Sequence, residues 1–144
     1  MRSGACVVAL FGMLCIAAGC REDDKNADPA PLTIVTDIDF TTERGTFRVK
    51  RGSQELGCSG GTFVTRHLGQ DEWSTLQMVS TCTEGERSGS FFIRIKNLHL
   101  WNFQSGTGDF AGVKGNGKFH LRFSPGPEIS GVETLAGMVS FASR

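Results

Sequence analysis

The 144-residue chain has no tyrosine, four prolines and no excess of either charge. Lys and Arg total 15 and Asp and Glu total 15, so the sequence lacks the basic surplus that phosphate binding requires. After residue 19, no apolar run approaches the roughly 20 residues that a membrane-spanning helix needs. These absences argue against nucleic acid as a partner and against a multi-span membrane protein.

Patterns typical of metal sites are absent as well. The sequence has no Cys-x-x-Cys, and its histidines, at 67, 99 and 120, show neither His-x-His nor His-Glu-x-x-His spacing. We therefore predict no metal and no cofactor.

Asp37, Asp39 and Glu43 lie near one predicted strand and turn, where paired carboxylates can act as acid and base. Alternation along a solvated strand face is the commoner reason for such a pattern.

Residues 1–19 have the layout of a secretory signal. Arg2 is followed by the apolar stretch from Cys6 to Ala18, and the residues just before Cys20 are small. Such a segment is removed from the mature protein and takes no part in the fold. A membrane anchor that is retained is the alternative.

The run Ile16-Ala17-Ala18-Gly19-Cys20 resembles a bacterial lipobox, in which a peptidase cuts before the cysteine and the thiol carries a diacylglycerol. The resemblance implies that Cys20 bears this lipid and an N-acyl chain such as palmitate, which together give stable membrane anchoring. Ordinary cleavage that leaves Cys20 as a free thiol is the alternative. Residues 20–31 are polar after Cys20 and contain proline, as expected of a disordered tether. The predicted location is the bacterial cell envelope, at the outer membrane or cell surface.

Two cysteines, Cys58 and Cys82, remain for the folded domain. An even pair in an oxidising compartment predicts a disulfide. Closing a loop of about 25 residues contributes roughly 3–4 kcal/mol on the chain-entropy model. A metal pair and a redox pair are the alternatives, and the missing Cys-x-x-Cys spacing disfavours both.

Residues 32–144 show apolar alternation with a period of two between glycine-rich breaks, and no apolar stripe of helical period. This pattern predicts an all-β domain of eight antiparallel strands, closed as an up-and-down barrel, with a β-sandwich as the alternative. The expected strands are 32–40, 45–50, 61–67, 74–82, 89–97, 98–104, 116–123 and 131–142.

Phenylalanine is abundant in these strands, with 11 in the chain. Packing of the core is one explanation, since phenylalanine buries a large area without needing a polar partner. An apolar ligand cavity is the other, because a barrel of this size can hold one small ligand. The candidate cavity residues are Trp101, Phe103, Phe119 and Leu121.

The most distinctive run is Gly106-Thr107-Gly108-Asp109-Phe110-Ala111-Gly112-Val113. A strand and no helix follows it, which excludes a dinucleotide-binding loop. We expect a tight crossover between two strands, with Phe110 and Val113 docked into one end of the barrel. Gly106, Thr107, Gly108, Phe110 and Gly112 are its structural positions.

This run resembles the GTG-x-F-A-G signature of the allene oxide cyclase barrel and a similar run in dirigent proteins. The resemblance is close over about residues 98–123 and weak elsewhere. Trp101 and the later segment 131–141 are also similar to bacterial secreted members of this group, which are largely of unknown function. It implies an eight-stranded antiparallel barrel with a central cavity. The cyclase's catalytic groups have no counterparts that can be matched here, so the resemblance carries no activity across.

Three functions remain open. The first is a non-catalytic binding module, anchored to membrane lipid through Cys20, for a small apolar ligand or an envelope protein. The second is a cyclase or isomerase acting on an apolar substrate in the barrel. The third is a lipoprotein inhibitor of a hydrolase. An enzyme requires ionisable groups inside the barrel, a carrier requires a wide dry cavity, and an inhibitor requires a filled core with protruding loops.

Overall fold

The computed structural model describes residues 28–70 and 74–142. The predicted signal segment, Cys20 and most of the predicted tether lie outside the described residues. Eight antiparallel strands form a closed barrel in simple sequence order, and the last strand pairs with the first. The fold is therefore the predicted up-and-down barrel and not the alternative sandwich.

The strands are β1 (Ala30–Asp39), β2 (Arg44–Arg51), β3 (Gly60–His67), β4 (Thr75–Glu84), β5 (Ser90–Lys96), β6 (Leu100–Gly106), β7 (Val113–Phe123) and β8 (Ser130–Phe141). A one-turn helix, α1 (Ser53–Leu56), follows β2, and a 3₁₀ turn, Gly108–Phe110, lies between β6 and β7. None of the described helices is long and apolar enough to cross a membrane.

The starts of three strands differ from the prediction by more than one residue: β1 and β7 begin earlier, and β6 begins later, at Leu100. β1 begins at Ala30 because Ala30 and Pro31 pair with Val139 and Met138, so the barrel takes in the last two residues of the predicted tether. Pro31 is tolerated near the start of a strand, where the loss of one N–H donor costs little. β7 begins at Val113 because the glycines that suggested a loop pair with β8.

Alternation along the strands fills the barrel interior. On β5, Phe91, Ile93 and Ile95 are fully buried. Phe91 forms the centre of an aromatic cluster, with its ring centroid 5.5 Å from that of Phe47, 5.7 Å from Phe103 and 5.1 Å from Phe110. Such tilted and edge-to-face pairs stabilise the core beyond the area they bury.

The two ends of the barrel differ. At one end, here called the sealed end, Leu56 of α1 and Phe110 of the 3₁₀ turn are both fully buried. The predicted disulfide is present there, joining Cys58 and Cys82 with their Cα atoms 6.0 Å apart. The other end, here called the mouth, is formed by the β1–β2, β3–β4, β5–β6 and β7–β8 connections.

The ladder between β6 and β7 is short, with three residue pairs that run from Leu100–Lys118 to Asn102–Asn116. The β7–β8 ladder, by comparison, has eleven. Beyond Asn102 the described ladder ends, and the 3₁₀ turn packs against β5 and β6.

Candidate functional site

A pocket at the mouth combines apolar walls with polar side chains. Its walls come from strands on opposite sides of the barrel and from two of the mouth connections. The lining residues are Ile38, Phe40, Glu43, Thr65, His67, Leu76, Leu98, Leu121 and Glu133. We call this the mouth pocket.

Glu133 is the most deeply buried ionisable group of the mouth pocket, at 2% exposure. It lies on β8 between Thr36 of β1 and Leu121 of β7. The Thr36 hydroxyl donates a 2.7 Å hydrogen bond to Glu133 Oε2. No described cation pairs with the carboxyl group. Burial raises the pKa of Glu133 to about 7, and the Thr36 hydrogen bond offsets part of that rise.

His67 and Glu43 form a second polar group in the mouth pocket. His67 Nε2 is in close hydrogen-bond contact with Glu43 Oε1, and both side chains are only partly exposed. The backbone reinforces the pairing, because the N–H of Thr65 donates a 2.8 Å hydrogen bond to the Glu43 carbonyl. The β1–β2 turn is thereby fixed against the end of β3.

Thr65 brings an unpartnered hydroxyl to the mouth pocket. Its side chain points inward from β3, on the same face of the strand as Phe63 and His67, and the residue is 6% exposed. Its Oγ1 atom is buried and has no hydrogen-bond partner. Ser80 on β4 carries the other such hydroxyl among the described residues, but Ser80 does not line the mouth pocket. A buried hydroxyl without a partner costs stability.

The described non-glycine residues with positive φ all lie at the mouth. They are Glu43 at 56°, and Asn97 and Leu98, both at 51°. Leucine rarely adopts this conformation, so the β5–β6 turn holds Leu98 over the pocket at an energetic cost. Two of the three, Glu43 and Leu98, line the mouth pocket, and such backbone strain is common at functional sites.

The free space in the mouth pocket is small. It amounts to about 10 Å³, which is room for roughly one water molecule. Elsewhere in the barrel, large side chains such as those of Met78, Phe91 and Ile93 are fully buried. None of the described pockets is the wide dry cavity that a carrier was expected to require. A ligand larger than water therefore has to displace the side chains that cover the mouth, of which Phe40 and Leu98 belong to connections and not to strands.

Exposed apolar side chains surround the mouth. Leu68, Leu100, Phe123 and Ile129 are between 48% and 65% exposed, and all four lie at the mouth ends of their strands or in the connections there. Phe123 also packs on Phe40 of the pocket wall, with ring centroids 5.3 Å apart. The mouth is thus the more apolar of the two ends.

The residues singled out in the sequence fall into three places. Trp101, Phe103 and Phe119 are packed in the core, whereas Leu121 lines the mouth pocket. The glycine-rich run lies at the sealed end, where Gly108 and Gly112 have positive φ and a side chain on Gly106 would lie 2.3 Å from the Phe110 carbonyl oxygen. Thr107 Oγ1 accepts a 3.0 Å hydrogen bond from the Ser90 N–H.

A larger but shallow hollow of about 310 Å³ lies at the sealed end, beside α1 and the disulfide. It is lined by Ser53, Gln54, Gly57, Cys58, Ser59, Gly85 and Glu86. No unpartnered buried side chain lines it, so the mouth pocket is the stronger candidate. Within residues 28–70 and 74–142, no group of His, Cys, Asp and Glu is arranged to hold a metal ion.

Sequence reasoning overlooked Glu133 and Thr65. Glu133 lies two residues from both Gly131 and Leu135, which face inward. A carboxylate at an inward-facing position of a strand was the sequence feature that could have identified it. The β-favouring residues Val132 and Thr134 on the opposite side obscured it. Asp37 and Asp39 are exposed, as the solvated-face explanation predicts, but Glu43 is drawn into the pocket.

No family model matches the chain, and no curated protein is significantly similar to it.

Proposed function

We propose that the chain is a lipid-anchored envelope protein whose barrel is a non-catalytic binding module, and that a small apolar ligand enters the barrel at the mouth. The mouth pocket carries this proposal, because apolar walls around a few convergent polar groups are typical of small-molecule sites. A small ligand fits better than an envelope protein, because Thr65 and Glu133 are buried below the rim and out of reach of a flat docking surface.

The test is saturable binding of a neutral apolar fluorophore, N-phenyl-1-naphthylamine, to the folded domain. Leu98→Asp places a charge in the pocket wall at a position where aspartate tolerates positive φ. Met138→Asp is the matched control, because Met138 is 41% exposed on the outer wall of the barrel. We expect one site in the natural sequence, at least tenfold weaker binding in Leu98→Asp and unchanged binding in Met138→Asp. Equal loss in both variants, or no saturable binding, would refute the proposal.

A cyclase or isomerase is the second candidate function, and the environment of Glu133 favours it. A carboxyl group whose pKa is about 7 can both accept and donate a proton near neutral pH. The apolar walls of the pocket suit an apolar substrate with a carbonyl group.

Proton exchange at carbon distinguishes the enzyme from the binding module. In D₂O, cyclohexanone exchanges the hydrogens on the carbons next to its carbonyl group for deuterium, and NMR measures the rate of this exchange. If Glu133 is an acid–base catalyst, the chain accelerates this exchange, Glu133→Gln abolishes the acceleration and the exposed-site variant Asp39→Asn preserves it. A rate equal to that of buffer supports the binding module.

A further inference from the structure

Two buried polar groups of the mouth pocket have hydrogen-bonding capacity that the protein leaves unused. Thr65 Oγ1 has no partner, and the Glu133 carboxyl group accepts one described hydrogen bond, from the Thr36 hydroxyl to Oε2. Buried polar atoms are almost always paired, so an unpartnered hydroxyl in the same pocket as a buried carboxyl group indicates a partner that the protein itself does not supply.

We infer that the mouth pocket binds a ligand with an apolar body and one neutral oxygen group, an alcohol or a ketone, which hydrogen-bonds with Thr65 and Glu133. This inference rests on the proposed binding function and adds the chemical class of the ligand. The apolar body contacts Ile38, Leu76 and Leu121, and the oxygen group lies at the polar part of the pocket.

The charges that face the pocket favour a neutral ligand. Glu133 and Glu43 are its acidic groups, and His67, its one basic group, is already paired with Glu43. A ligand carboxylate would therefore meet two carboxyl groups and no free described cation. A ligand ammonium would require Glu133 to ionise in a buried site, where desolvation opposes both charges. A neutral hydroxyl requires neither, because it both donates and accepts.

The protonation of Glu133 agrees with this choice. Because its pKa is about 7, the carboxyl group carries a proton in much of the population at neutral pH and can donate it to a ligand oxygen. The Thr65 hydroxyl can donate or accept as the ligand requires. An alcohol and a ketone therefore both find a donor in the pocket.

The experiment compares three eight-carbon ligands, 1-octanol, octanoate and octylammonium, by calorimetric titration of the folded domain at pH 6.5. We expect 1-octanol to bind at least tenfold more tightly than either ion. Thr65→Val, which keeps the shape of the side chain, weakens 1-octanol binding about fivefold to tenfold through the loss of one hydrogen bond. Ser80→Ala is the matched control, since it removes the buried hydroxyl that lies outside the pocket, and we expect binding within twofold of the natural sequence.

Thermal melts keep the result interpretable. Both substitutions remove an unpartnered buried hydroxyl, so both variants should unfold at or above the temperature of the natural sequence. Tighter binding of octylammonium or octanoate overturns the inference, and so does unchanged binding of 1-octanol in Thr65→Val. These outcomes leave the binding module intact if the neutral fluorophore still binds, whereas failure of all the ligands and the fluorophore refutes the binding function itself.

Discussion

Glu133 is a buried carboxyl group whose charged form lowers the stability of the fold. Its neighbours on the inward side of β8 are Gly131 and Leu135, and its side chain lies in an interior of aliphatic and aromatic groups. Burial there disfavours the charged form of the carboxyl group, and Thr36 recovers part of the cost with one hydrogen bond. An isosteric amide would avoid the charge, so retaining a carboxyl group costs stability at neutral pH.

The pH dependence of stability follows from this environment. The pKa of Glu133 is raised from 4.5 to about 7 on folding, so between these values the folded state holds more protons than the unfolded state. The contribution of Glu133 to stability is therefore largest below about pH 4.5 and falls as pH rises to about 7, by on the order of 3 kcal/mol. Urea unfolding of the natural sequence and of Glu133→Gln at pH 5 and pH 8 measures the effect.

The difference between the two proteins isolates Glu133 from the His67–Glu43 pair, which both contain. We expect the free energy of unfolding to change less with pH in Glu133→Gln than in the natural sequence. An identical pH dependence in the two proteins would show that the carboxyl group is not buried as described.

At the scale of elements, the two ends of the barrel have separate tasks. The sealed end has covalent and steric closure: the disulfide ties the β2–β3 connection to β4, and Phe110 fills the interior from the β6–β7 connection. The Arg87 guanidinium adds a contact with the Phe141 ring, 3.9 Å from its centroid. The mouth has none of this closure and holds the strained turns. The closure that holds the barrel together is thus concentrated at the end away from the mouth pocket.

Removal of the disulfide tests the closure of the sealed end. The double variant Cys58→Ala/Cys82→Ala should lose about 3 kcal/mol of unfolding free energy, because the unfolded chain regains the freedom of a loop spanning 24 positions. Guanidinium unfolding measures the loss, and the natural sequence with and without reductant is the control. Because the mouth lies at the other end, binding of the neutral fluorophore should persist in the folded fraction. Equal stability of the oxidised and reduced proteins would contradict the prediction.

Gly106 tests the glycine-rich crossover. A methyl group there would lie 2.3 Å from the Phe110 carbonyl oxygen, and this atom cannot move without lifting Phe110 out of the core. Gly106→Ala should therefore cost about 2 kcal/mol of stability, as overpacking typically does. The neighbouring exposed Ser105→Ala is the control and should change stability by less than about 0.5 kcal/mol. Thermal unfolding compares the two, and equal midpoints would contradict the steric account.

The alternation of apolar residues was sufficient to predict strand number and antiparallel order, because a two-residue period determines which side chains face inward wherever one face is buried. It favoured closure but left a sandwich as the alternative, which the pairing of β8 with β1 excludes. It did not predict α1, which is a single turn with too few residues for a helical stripe. It also did not predict the mouth pocket, because Glu133, Thr65 and Glu43 lie on three separate segments that only the closed barrel brings together. The disulfide was predictable, since Cys58 and Cys82 were the one pair left for the domain.

At the scale of the whole molecule, the chain enters the barrel at the end opposite the mouth. β1 begins at Ala30, which pairs with Val139 near the end of β8, so the chain enters the barrel at the sealed end. If Cys20 carries lipid, as we propose, the anchored segment joins the barrel at the sealed end, opposite the apolar rim of Leu68, Leu100, Phe123 and Ile129.

Lipidation is tested by expressing the full chain in a bacterial host. We expect mass spectrometry of the mature protein to find Cys20 at its N-terminus with diacylglycerol and an acyl chain, and the protein to fractionate with membranes. Cys20→Ser should move it out of the membrane fraction, and Ser3→Ala, outside the lipobox-like run, should leave it there. A mature protein that begins at another residue would refute the anchor.

The short ladder between β6 and β7 makes the barrel wall uneven in strength. Where a closed sheet has one seam of three residue pairs beside a seam of eleven, thermal fluctuations open the shorter seam first. The wall should therefore open locally between β6 and β7, beyond Asn102 and Asn116. Amide hydrogens beside that opening should exchange with solvent before those of the β7–β8 ladder. Pulled apart or warmed, this cylinder would first become a curled sheet with β6 and β7 as its free edges.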